Sequence, residues 1–110
     1  MSLYESVILI QQDVSSASID QIIEDLKKVL LEYNATLLKQ ENWGLRALAY
    51  EIKGNTKAYY VMLYIECAND ALKEYERKMQ FSENIIRFMN LKVDTITDTP
   101  LLEITTEGAA

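Results

Sequence analysis

Histidine is absent from this chain, and cysteine and proline occur once each. Without histidine, the Ser-His and Cys-His pairs that activate most nucleophiles cannot be assembled. The one cysteine, Cys67, follows the apolar run YYVMLYI and has no second thiol in the chain to bridge to, so it reads as a small buried hydrophobe. Three glycines are present, and none stands in a GxGxxG or Walker spacing that would wrap backbone amides around a phosphate. No apolar stretch approaches the roughly 20 residues of a membrane-crossing helix. The start, MSLYESVILIQQD, has neither the basic beginning and long apolar block of a secretory signal nor the Arg-rich pattern of an organelle leader. A cytoplasmic protein without a membrane partner is expected.

Carboxylates, by contrast, are plentiful: Asp and Glu total 17 against 11 Lys and Arg, a net charge of −6. Most stand at helix-surface spacings or near the C-terminal end, which favours solvated faces over an acid/base pair or a hard-cation site. The chain reads as a binding protein and not an enzyme, with no cofactor, no metal and no small-molecule substrate. Its acidity also argues against free-standing attraction to nucleic acid, which relies on Lys and Arg displacing counterions from phosphates. Any such contact has to be local. Residues 42–65, NWGLRALAYEIKGNTKAYYVMLYI, are the segment that suits it, because Arg46, Lys53 and Lys57 face only Glu51 in charge there, interleaved with Trp43, Tyr50, Tyr59, Tyr60 and Tyr64.

At 49% hydrophobic and 25% charged residues, the composition is that of one globular domain with a single core. LYESVILIQ (3–11) alternates and is rich in β-branched residues, as a strand should be. Ser18 and Gln21 have capping-box spacing, and Ile19, Ile22, Ile23, Leu26, Val29, Leu30 and Tyr33 form one apolar helical stripe, closed by Asn34. An extended segment follows from Thr36 to Ile52, with a bend expected at Trp43-Gly44. Lys53-Gly54-Asn55-Thr56 is turn chemistry, and the returning strand runs from Ala58 to Cys67. Asn69 is positioned to cap a second helix carrying Ala71, Leu72, Tyr75 and Met79 on its buried stripe, and IIRFMNLKV (85–93) makes a last strand.

The order strand, helix, strand, strand, helix, strand predicts an α+β fold: a ferredoxin-like split β-α-β with a four-stranded antiparallel sheet and two helices on one face. The domain is expected over residues 1–93, with a flexible tail over 94–110. One sheet face is expected to stay open, and KAYYVMLY (57–64) partly resembles the RNP1 octamer that stacks bases on such a face. The stacking positions would be Tyr59 and Val61, which the alternation sends into the core. A core strand edged with tyrosines is therefore the expectation.

Several stretches together resemble the bacterial small-subunit ribosomal protein S6 family over nearly all of residues 3–93. They are Tyr4-Glu5, the run from Trp43 through Gly44, Leu45, Arg46, Ala47, Leu48, Ala49, Tyr50, Glu51 and Ile52 to Lys53, then Tyr59-Tyr60, and Ile86-Arg87-Phe88-Met89. Ala47 stands where the family usually has a polar or charged residue, and Glu51 replaces a common proline. The resemblance implies a structural constituent of the small ribosomal subunit that binds the central domain, or platform, of 16S rRNA as a heterodimer with ribosomal protein S18. By matched position it implies rRNA contacts through Arg46 and Arg87 first, then Lys53, Lys57 and Lys92. An acidic body gains access to a polyanion most readily with a basic partner. That partner is expected at the edge strand, where unpaired backbone and Trp43, Leu45, Leu48 and Tyr50 are available. Two other classes fit the fold: a homodimeric regulatory domain binding a metabolite between subunits, and an autonomous RNA-recognition motif relying on Tyr60 and Tyr64.

Overall fold

In the computed structural model, which describes residues 1–94, the alternating start becomes β1 (Ser2–Gln11). Then come α1 (Ser16–Glu32), β2 (Thr36–Ile52), β3 (Asn55–Cys67), α2 (Asn69–Gln80) and β4 (Ile85–Val93). The sheet order is β2-β3-β1-β4 with every pairing antiparallel, so the ferredoxin-like expectation holds and β2 is an edge strand. Residues 95–110, most of the expected tail, lie outside the described residues. Among the described residues no helix is long and apolar enough to cross a membrane.

The first helix is capped three residues before the serine expected to cap it. Ser15 is the cap, its side chain accepting from the Ser18 amide at 3.2 Å. Ser18 is therefore inside the helix, because the unpaired amides of the first turn take the hydroxyl that precedes them. At the other end Asn34 adopts the left-handed φ of 58°, and the Ala35 amide returns to the Leu30 carbonyl at 2.8 Å. The second helix is likewise entered one residue early, from Ala68, with no side-chain cap.

One core lies under the helices. Ile19, Ile23, Leu26 and Leu30 of α1 and Ala71, Tyr75 and Met79 of α2 pack on Ile8, Ile10, Val61, Leu63 and Ile65 of the central strands. Each such aliphatic side chain contributes roughly 1.5–3 kcal/mol on burial. The Tyr75 hydroxyl, buried among them, is satisfied by Ser6 Oγ at 2.7 Å, and burial pushes its ionisation far up. Cys67 is buried as its sequence context suggests, and desolvation raises its thiol pKa, which leaves it unreactive.

A second core occupies the face expected to be open. Val7, Leu9, Ala58, Tyr60, Met62, Tyr64 and Ile86 are all buried there, with Trp43, Leu48 and Ile52 packed over them. The cover exists because β2 is longer than its partner. Ala47 pairs with Lys57 and Ile52 with Asn55, so residues 48–51 stand opposite Thr56 alone. The surplus leaves the ladder and arches over the sheet. Lys53 and Gly54, at φ 48° and 82°, then close a two-residue turn of the mirror-image kind that suits strand twist. Asn55 locks it, donating to the carbonyls of Ile52 and Lys53 and accepting from the Gln12 amide at 3.0 Å.

Candidate nucleic-acid interface

Strand register assigns each cation to a face. Gly44 pairs with Tyr60, Tyr60 with Leu9 and Leu9 with Arg87, so these four form one row across the sheet on its helix-free side. Arg46 pairs with Ala58 and stands on the same side, diagonally adjacent to Tyr60. Gly44 takes a φ of 78° where the register shifts between Asn42 and Gly44, a conformation costly for any residue with a Cβ. That bulge turns Trp43 onto the second core, and the Arg46 guanidinium stacks 4.3 Å from the Trp43 ring centre.

Arg87 is held by a different aromatic. Its Nη1 donates to the Tyr50 hydroxyl at 2.6 Å, a bond that joins the arch of β2 to the opposite edge of the sheet. Among the described residues neither Arg46 nor Arg87 is in an ion pair, although Lys27, Lys39 and Arg77 are. Beneath them the Tyr60 hydroxyl is buried without a hydrogen-bond partner. Burial raises its pKa, partly offset by the charges of Arg46 and Arg87.

The other end of this face is acidic. Lys39 and Glu41 pair at 3.3 Å, and Glu41 Oε1 accepts from both the Trp43 indole and the Tyr64 hydroxyl. Glu5, opposite Tyr64, is buried, and desolvation, then the neighbouring charge of Glu41, raises its pKa.

The remaining sequence-predicted residues are dispersed. Lys53 and Lys57 are exposed at the hairpin tip. Lys92 pairs with Tyr4, a helix-side core residue, so it belongs to the opposite face and the far end of the sheet from Arg46. The four candidate partner anchors divide as well. Trp43 and Leu48 are half-buried in the second core, Tyr50 is exposed but bonded to Arg87, and Leu45, paired with Tyr59, is exposed on the helix side of the strand. Tyr60 and Tyr64, both 0% exposed, offer no ring face to a base, which removes the RNA-recognition-motif geometry. Among the described residues no group of three metal-ligating side chains occurs.

Comparison with known proteins gives one consistent likeness. The family profile described as ribosomal protein S6 matches residues 3–92. The small ribosomal subunit protein bS6 of Rickettsia prowazekii is 48% identical over 100 residues, covering 91% of this chain and 83% of that protein. A crystal structure of 30S ribosomal protein S6 from Thermotoga maritima superposes with a TM-score of 0.79 at 29% identity, covering 84% of this chain and 87% of that one. The C-terminal domain of the MgtC protein from Mycobacterium tuberculosis is similar in fold alone, with a TM-score of 0.59 at 5% identity, covering 90% and 95% of the two chains.

Proposed function

This chain belongs to the ribosomal protein S6 family of the small ribosomal subunit, and from that premise we propose that it binds the central domain of small-subunit rRNA, paired with the basic ribosomal protein S18. Its role there is structural, in the cytoplasmic ribosome. The observation that supports rRNA contact is the pair Arg46 and Arg87: both on one sheet face, each set against an aromatic, and neither neutralised by a carboxylate among the described residues of a chain of net charge −6. Guanidinium groups left free in this way suit phosphate oxygens, which they meet with a planar fork of donors. Lys53 and Lys57 extend the contact from the hairpin tip. Lys92, on the other face, is assigned a separate and peripheral contact.

For the protein partner, the free edge of β2 offers backbone groups, and Leu45, 46% exposed, is the best-placed apolar anchor. Trp43, Leu48 and Tyr50 line the adjoining surface of the same strand. The remaining acidic surface opposes RNA at long range, so the basic partner brings the complex within reach of the polyanion. A titration of a central-domain rRNA fragment tests this directly. Binding should be weak with the chain alone and rise steeply when S18 is added; equal affinity in both arms refutes the proposal.

A further inference from the structure

The arch of β2 has a consequence for Arg87 that rests on the rRNA reading but goes beyond it. A side chain on β2 belongs to one sheet edge and Arg87 to the other, about 14 Å away at the usual strand spacing. Only the surplus of residues 48–51, displaced from the ladder, brings the Tyr50 hydroxyl across to the Arg87 guanidinium at 2.6 Å. Tyr50 is 54% exposed and Arg87 is exposed, so the bond is not a by-product of core packing. The hydroxyl occupies one of the five N–H donors of the guanidinium and leaves the others directed away from it. A free arginine loses rotamer freedom when it binds, and holding it in place beforehand removes part of that cost. Arg46, stacked on Trp43, is restrained by the same device, an aromatic of β2 that carries no charge to compete with an anion.

We infer that Tyr50 is a positioning residue for RNA: its hydroxyl holds the Arg87 guanidinium over the helix-free face so that the remaining donors meet a backbone phosphate. Stacking of a base is closed on this face, because Tyr60 and Tyr64 are covered, and the planar fork of remaining donors suits phosphate oxygens. Tyr50 thus serves Arg87 whether or not it also borders the protein partner.

The test is a double-mutant cycle on the full chain with S18 and a central-domain rRNA fragment, using Tyr50→Phe, Arg87→Ala and both together. Loss of one hydrogen bond that orients a charged group should weaken RNA affinity about five-fold in Tyr50→Phe. In the Arg87→Ala background the same change should have no effect. An equal loss in both backgrounds would mean that Tyr50 acts on the fold or on the partner, and overturns the inference while leaving Arg87 in the RNA contact. Unchanged affinity in Arg87→Ala overturns both. A second readout is the guanidinium NMR signal of Arg87 in the free chain. It should be restrained in the native chain and motionally averaged in Tyr50→Phe, and identical signals in the two overturn the inference irrespective of RNA.

Discussion

The two ends of the helix-free sheet face carry similar residue types and put them to opposite uses. At one end Arg46 stacks on Trp43 and Arg87 donates to the Tyr50 hydroxyl, neutral aromatics that orient without neutralising. At the other, Lys39 also lies over an aromatic, with Nζ 5.3 Å from the Tyr64 ring centre, but Glu41 pairs with it and Glu5 is buried alongside. A cation already matched by a carboxylate has little left to offer a phosphate. What decides availability is the company a charge keeps, and counting cations along a strand does not reveal it.

The largest effect should come from removing that asymmetry. Reversing both arginines, Arg46→Glu with Arg87→Glu, should lower affinity for the rRNA fragment with S18 present by more than about 100-fold, since each charged hydrogen-bonding group contributes about 1.5–3 kcal/mol. Lys39→Met at the acidic end should change it less than about two-fold, as expected of a half-exposed charge already paired with Glu41. Each single Arg→Ala should also reduce the salt dependence by about one phosphate. Filter binding at several salt concentrations measures all of these, and equal losses from Lys39 and Arg87 would erase the distinction between the two ends.

A smaller effect is expected beneath the two arginines, at Tyr60. Its buried hydroxyl lacks a partner, so Tyr60→Phe should keep the packing and raise stability by about 1 kcal/mol, read as a higher thermal midpoint. A lower midpoint would show that the hydroxyl is satisfied in solution.

The smallest effect belongs to Glu5. Its folded pKa is raised, so the native state holds this proton more tightly than the unfolded chain. The stabilisation is complete below the ordinary glutamate range and is lost as pH rises through that range to the raised folded value. Glu5→Gln should flatten this part of the pH dependence and make the chain more stable near neutrality. An unchanged pH profile would place the Glu5 carboxylate in water, and with it would go the contrast between the two ends.

Element order was legible from local pattern: steps of three and four for the run from Ile19 to Leu30, and for SVILI a short, β-branched-rich apolar run whose residues prove buried on both faces of the sheet, so that no polar alternation marks it. The cap was misplaced because Ser15, Ser16 and Ser18 offer the same chemistry within one turn, and only backbone geometry chooses among them. Arg87 could be singled out as the one cation early in an apolar strand. Its opposition to Lys92 was also readable, since residues five apart on a regular strand point to opposite faces. The division of Trp43, Leu45, Leu48 and Tyr50 was not. β2 slips register at three places, and each slip resets which residues face which side. The Tyr50–Arg87 bond depends on residues 37 positions apart meeting across the whole sheet, and no local period encodes it.

The arch of residues 48–51 has one more consequence. Leu48 at its start and Ile52 just past its end help to bury Tyr60, so that ring offers no stacking platform at the arginine end of the face, and on the proposed rRNA contact the guanidinium donors of Arg46 and Arg87 are what meets the RNA there. Phosphates are the same in every nucleotide. On the proposed contact, discrimination between one RNA and another rests on how the RNA folds, because only a particular backbone path brings phosphates to both arginines at once.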